Sequence, residues 1–128
     1  MCTFSKRSLN NLIGIHPDLV KVLKEAIKDT PIDFTITEGV RTAVRQNQLY
    51  KEKRSKCDGY IKKSNHQVKT DGYGHAVDLY PLPIQYSDPQ PYIALSKHIK
   101  AKAAKLGIKI VWGGDWKSLV DRPHYELG

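Results

Sequence analysis

The chain holds little sulfur, with one methionine and two cysteines in 128 residues. Cys2 and Cys57 are too few for a disulfide framework, and neither lies in a Cys-x-x-Cys pair. Both are expected to be free thiols with no nucleophilic role. No apolar run approaches the roughly 20 residues of a membrane span, so no stable membrane insertion is expected. The amino terminus, Met1 to Arg7, has no apolar signal core behind it, which predicts a protein made and kept in the cytoplasm until something releases it. There is no Arg-rich block and no zinc-finger spacing, so a nucleic-acid partner is not expected on charge alone. Repeats, low-complexity tracts and linkers are also missing. Residues 1–128 are therefore expected to form one domain, large enough for a core without staples.

What is present is positive charge. Twenty-one Lys and Arg against thirteen Asp and Glu give a formal net charge of +8, which favours a polyanionic partner. Part of it is local: Lys51, Lys53, Arg54, Lys56, Lys62 and Lys63 cluster in one segment, read here as a solvated helix end and loop.

Apolar periodicity predicts an α+β fold, a small antiparallel sheet flanked by helices. Pro17 opens a helix whose face carries Leu19, Val20, Leu23, Ala26 and Ile27, and Thr30-Pro31 stops it. Asp33 to Thr37 alternates as a strand, and Thr42 to Arg54 reads as a mostly polar helix. Cys57 to Gly74 is a long loop, a length that is often functional. Ala76 to Leu79 is a short strand with Ala76, Asp78 and Tyr80 on one side. Tyr92, Leu95, Ile99, Ala103 and Leu106 mark a further helix closed by Gly107. Ile108 to Trp112 and His124 to Leu127 complete the sheet, the last with His124 and Glu126 on one side.

The chemistry is concentrated in Ser64-Asn65-His66, Gly74-His75-Ala76-Val77-Asp78 and Asp121-Arg122-Pro123-His124. His66, Asp78 and His124 offer two imidazoles and a carboxylate. Catalytic zinc takes three such protein ligands, leaves one position open and needs a nearby base. An acid inside the apolar strand around Asp78 needs a partner, and a metal supplies one. Asp121, three residues before His124, is the expected general base, with Glu126 as second choice and better suited to orienting a ligand. These features predict one zinc per chain.

The motifs resemble the peptidoglycan peptidases named for lysostaphin, D-Ala-D-Ala peptidases and sonic hedgehog, whose pattern is S-x-H-x-x-G-x-A-x-D followed by D/E-x-x-H. Ser64, His66, Gly74, Ala76 and Asp78 match the first part, and Asp121 and His124 the second. Phage endolysins of the L-alanyl-D-glutamate peptidase type are the closer likeness. It is carried also by Phe4 to Leu9, His16 to Leu19, Glu38 to Thr42 and Trp112 to Trp116, so it runs nearly end to end. There is one departure. The family pattern has two residues between its His and Gly, but Gln67 to Tyr73 intervene here, an insertion of five. At the family spacing the ligand falls on Asp71, which makes Asp71 a rival to His66, with His75 a third candidate.

The resemblance implies a hedgehog-like peptidase fold and a monomeric zinc endopeptidase. It would cut the L-alanyl-D-glutamate bond of the peptidoglycan stem peptide. Such an enzyme would wait in the host cytoplasm for a phage-coded pore, with no separate wall-binding domain. It places Arg41 in the active-site cleft, where a guanidinium can hold a substrate carboxylate or a developing oxyanion. Gln46 falls near it as a possible substrate contact. Ser64 either meets the substrate or shapes its loop. Trp112, Trp116, Tyr80 and Tyr125 are either core or groove, and Trp116 is assigned to the groove. Rival readings are a D-Ala-D-Ala carboxypeptidase or dipeptidase, a non-enzymatic zinc-stabilised binding module, and a basic nucleic-acid binder.

Overall fold

Pro17 starts α2 (Pro17–Lys28), where His16 caps the helix through its ring Nδ1, which accepts the Asp18 N–H at 3.0 Å. Leu19, Val22, Leu23, Ala26 and Ile27 recur at helical spacing and are buried. The computed structural model describes residues 2–128. The remaining elements are α1 (Lys6–Asn11), β1 (Phe34–Glu38), α3 (Ala43–Lys51), β2 (Ala76–Pro81), α4 (Gln90–Leu106), β3 (Ile110–Trp112), a 3-10 turn (Gly113–Asp115) and β4 (His124–Leu127). The architecture is α+β, with an antiparallel sheet in the order β1-β2-β4-β3.

One face of the sheet is apolar. Phe34, Ile36, Val77, Leu79 and Tyr125 join the buried faces of α2 and α4 in one core. Because strand side chains alternate, the residues between them point the other way: Asp78 and Tyr80 from β2, His124 and Glu126 from β4. These four line a cleft of about 750 Å³.

Several sequence expectations shift in detail. The helix α1 had no prediction, since its six residues carry too little periodicity to stand out. Ser5 caps it, and its Ser8 hydroxyl accepts the Ile36 N–H at 3.0 Å while Asn11 Nδ2 donates to Ile36 O at 2.8 Å. Polar side chains of α1 thus cover the outer edge of β1. The polar helix is shorter than predicted, from a Thr42 cap to Lys51, and β3 begins at Ile110 rather than Ile108. Gly107 ends α4 in the left-handed conformation, as its position predicts.

Candidate metal centre

Sheet register builds the first half of the site. Asp78 on β2 lies directly opposite His124 on β4, and Glu38 on β1 opposes Asp78 from the other side. Side chains in such cross-strand pairs start about 5 Å apart. His66 comes from the long loop and is fastened there by the backbone: His66 O accepts Arg41 N–H at 2.8 Å, and Asn65 O accepts His75 N–H at 2.7 Å. The Ser64 hydroxyl accepts the His66 N–H at 3.1 Å. Ser64 therefore shapes this turn, and it also lines the cleft.

Three donor atoms converge. His66 Nε2 lies 3.2 Å from His124 Nδ1, Asp78 Oδ1 lies 3.4 Å from the former and 3.6 Å from the latter. His66 Nδ1 sits 2.9 Å from Gly39 O, so it carries the hydrogen and donates it. His124 Nε2 likewise donates to Glu126 Oε1 at 2.7 Å. In the neutral rings both facing nitrogens therefore bear lone pairs. Two lone pairs at 3.2 Å repel unless a cation or a shared proton stands between them. Asp78 Oδ1 is buried and has no hydrogen-bond partner. A tetrahedral zinc with bonds of about 2.0–2.1 Å separates its donors by roughly 3.3 Å, so the three atoms fit it.

Electrostatics agree with the geometry. Burial pushes the Asp78 carboxyl up, but the facing His124 and His66 rings and the Arg41 guanidinium outweigh it and hold the group ionised, far below the usual carboxylate range. Burial lowers His124, yet Asp78 and Glu126 beside it lift the ring to about 9 in the absence of metal. The site thus holds a proton tightly when no metal competes. Asp121 shifts the opposite way from Asp78: burial first, then the Asp78 charge, raises its carboxyl. It lines the cleft beside Asp78 and His124. Its backbone is clamped by Gly113, whose carbonyl accepts the Asp121 N–H at 3.0 Å. A Cβ on Gly113 would overlap the Asp121 carbonyl, so only glycine permits this approach.

Arg41 lines the cleft and is engaged there by its neighbours. Its Nη2 donates to Asp78 Oδ2 at 2.8 Å and to Glu38 Oε2 at 3.2 Å, its Nη1 donates to Gln46 Oε1 at 3.1 Å, and its Nε lies 2.9 Å from Glu38 Oε1. Nη1 and Nη2 are hydrogen-bonded within the protein and Nε is ion-paired to Glu38, an arrangement suited to orienting Asp78, while Arg41 also lines the cleft. Gln46, expected near substrate, is fully buried. Its amide donates to Ser55 Oγ at 2.8 Å and Cys57 O at 2.9 Å. It ties Arg41 to the basic loop and presents nothing to the cleft.

The rivals to His66 group elsewhere. Asp71 Oδ2 lies 2.6 Å from His75 Nε2 and 3.9 Å from His16 Nε2, an exposed cluster closed by the inserted residues. His16 Nδ1 is committed as the α2 cap, so its Nε2 carries the hydrogen and is unsuited to a metal. Trp116 lies half-buried against the His124 ring, 4.8 Å between centroids, and lines the cleft. Trp112 and Tyr125 are core, stacked at 6.5 Å, while Tyr80 lines the cleft. Sequence reasoning missed Glu38 and Asn65. The spacing of Glu38 to Arg41 hints at an ion pair. Nothing flags Asn65, whose Nδ2 donates to Glu126 Oε2 at 2.6 Å.

Comparison with known proteins points one way. The family model described as phage L-alanyl-D-glutamate peptidase matches residues 1–126. The L-alanyl-D-glutamate peptidase of Escherichia phage T5 is 32% identical over 124 residues, covering 92% of this chain and 84% of that protein. The peptidoglycan L-alanyl-D-glutamate endopeptidase CwlK of Bacillus subtilis is 31% identical over 125 residues, covering 88% and 73%. The crystal structure of the Serratia marcescens L-Ala D-Glu endopeptidase ChiX superimposes with a TM-score of 0.83 at 33% identity, over 98% of this chain and 89% of that one. The vancomycin-resistance D,D-pentapeptidase VanY, solved with Zn(II), shares the fold at 16% identity and a TM-score of 0.55, over 88% and 72%.

Proposed function

This chain belongs to the phage L-alanyl-D-glutamate peptidase family, and on that premise we propose that it is a zinc endopeptidase acting on the stem peptide of bacterial peptidoglycan, in the service of host lysis. Its scissile bond is the amide between L-alanine and D-glutamate. The observation that carries the reading is the pair of imidazole nitrogens facing each other across 3.2 Å, with the orphaned Asp78 Oδ1 beside them and Asp121 in the same cleft.

His66 Nε2, Asp78 Oδ1 and His124 Nδ1 are the metal ligands. When bound in such a donor set, zinc supplies Lewis acidity at one open position. The chain's own residues do the rest. Glu126 fixes the His124 tautomer, and the Gly39 carbonyl fixes that of His66. Arg41 binds the outer oxygen of Asp78 and leaves Oδ1 turned inward. Asp121 is the general base: it takes a proton from the attacking water and delivers one to the departing amine of D-glutamate. The carbonyl carbon of alanine gains a C–O bond and loses its C–N bond, so the products are a carboxylate and an amine. A carboxyl raised by burial and by the Asp78 charge is a stronger base than an ordinary aspartate, as this role requires. The net positive charge supports attraction to anionic wall polymer.

The test pairs metal analysis with product mapping. Wild type is expected to hold one zinc and to release fragments ending in L-alanine and beginning with D-glutamate, read by mass spectrometry. Asp121→Asn is expected to keep zinc and the melting temperature and to lose hydrolysis by 100-fold or more, on the order of general-base effects. Free D-alanine as the sole product, or normal hydrolysis by Asp121→Asn, overturns the assignment.

A further inference from the structure

The basic segment read from sequence as a solvated loop folds back into the cleft. Lys53, Arg54, Lys56, Lys62 and Lys63 line the same cleft as Asp78, Asp121 and Glu126. Arg54 has Glu52 at 3.4 Å as a counterion. The other acid of the segment, Asp58, is occupied: its Oδ1 accepts the N–H groups of Tyr60, Ile61 and Lys62 at 2.9–3.0 Å. Among the described residues, Lys53, Lys56, Lys62 and Lys63 take part in no ion pair, and Lys56 Nζ reaches only the Ser118 hydroxyl, at 3.3 Å across the cleft. Four ammonium groups with no ion-pair partner among the described residues therefore border one cleft.

The wall is anchored. Gln46 holds Ser55 and Cys57, Asn47 Nδ2 donates to Asp58 O at 2.9 Å, and Gln67 Nε2 donates to Gly59 O at 3.0 Å. Gly59 has φ +90° and abuts α3, where an added Cβ would stand 2.7 Å from Ala43 O. The lysine side chains are exposed, but their backbone has a fixed place relative to the metal ligands.

We propose that these lysines bind the free carboxylate of the D-glutamate residue and set the enzyme's preference for the ionised stem peptide; this rests on the L-alanyl-D-glutamate reading given above. Glutamate has two carboxyl groups. Once its amine is joined to alanine and one carboxyl is joined onward, the other remains free and ionised at neutral pH. It sits on the leaving side of the scissile bond, inside a cleft whose floor carries Asp78, Asp121 and Glu126. Like charges at such range repel. The Arg41 charge is already balanced by the Glu38 and Asp78 carboxylates. Besides the metal, Arg41 and the Glu52-paired Arg54, the four lysines are the cations lining the cleft, and among the described residues they have no ion-pair partner of their own.

The experiment uses two synthetic stem peptides that differ only in that carboxyl, free in one and amidated in the other. The readout is the ratio of their kcat/KM values. It is internal to each enzyme sample, so partial misfolding cancels. Wild type is expected to prefer the free carboxylate by about tenfold or more, since several weak exposed pairs act together in one cleft. That ratio should shrink as salt is raised. Replacing Lys53, Lys56, Lys62 and Lys63 together by Gln is expected to bring it close to one, and replacing them by Arg to retain it. Equal rates on both peptides with wild type, or an undiminished ratio in the fourfold Gln variant, overturns the proposal. Cleavage of neither peptide at the alanyl-glutamate bond by wild type overturns the underlying reading and the proposal with it.

Discussion

Glu126→Gln isolates the orientation of His124 from the metal ligands themselves. Glu126 Oε1 accepts the His124 Nε2–H at 2.7 Å in a pair whose side chains are only 17% and 8% exposed. His124 draws its charge partly from Glu126, and Glu126 is in turn kept ionised against burial by hydrogen bonds from His124 and Asn65. A hydrogen bond to a charged partner contributes about 1.5–3 kcal/mol and a neutral one about 0.5–1.5 kcal/mol. The glutamine amide can still accept from Nε2–H, so the substitution removes only the charged part, about 1–1.5 kcal/mol. That is close to tenfold in zinc affinity. Glu126→Ala also frees the ring to rotate and change tautomer, which moves the loss toward 100-fold. Competition of the metal-free variants with a chromophoric chelator of known affinity measures both numbers. At saturating zinc much of the hydrolytic rate should return, because no metal ligand has been removed. If both variants bind zinc within twofold of wild type, Glu126 does not orient His124 and the argument from tautomers fails.

Three further outcomes follow from the same geometry. His66→Ala should abolish zinc retention on a desalting column, whereas Asp71→Asn should leave zinc content and hydrolysis within twofold of wild type; the reverse pattern makes Asp71 the ligand. Gly113→Ala should lower stability by about 1–3 kcal/mol in denaturant titration, because the new methyl meets backbone that cannot yield, and should depress hydrolysis by displacing Asp121. The metal-free protein should lose stability as pH rises. The His124 pKa stands near 9 in the fold against an ordinary 6.5, so its stabilisation is complete below about pH 6.5 and is lost as pH passes through 9. Thermal melts of chelated protein should show the fall. A zinc-loaded sample should not, since the metal takes the deprotonated ring. A chelated melting temperature that stays flat from pH 6.5 to 9.5 refutes the shared-proton description of the empty donor set.

Much of the site was legible because its parts are short and local. Ala76 to Leu79 reads as a strand from alternation alone, so Asp78 could be assigned to the face opposite Val77 and Leu79. His124 and Glu126 share a face by the same rule. The Asp121-x-x-His124 spacing needs only one turn, which the Gly113 contact holds closed. Arg41 and Gln46 were harder. Both were located near the site, yet Arg41 is held by Gln46, and the Gln46 amide runs to Ser55 and Cys57, partners whose approach depends on how the loop after α3 returns. The helix α1 went unseen because its burial rests on Ser8, a residue with no apolar signature.

By itself the sequence offered the candidate donor types, the acid proposed as general base, the alternation of the strands and the excess of positive charge. These are properties of residues and of their neighbours within a turn or a strand. Only the tertiary structure brings His66, and not Asp71, to within 3.2 Å of His124 and 3.4 Å of Asp78. His66 and Asp71 stand five residues apart on one loop, and the choice between them depends on a backbone hydrogen bond to Arg41 and a carbonyl offered by Gly39. It decided equally that the exposed basic loop lines the cleft, since Gln46, Asn47 and Gln67 fasten that loop across gaps of 8 to 11 residues. Spacing can state that a charge exists. Where it points is fixed by contacts between segments whose closure is written in no single stretch of chain.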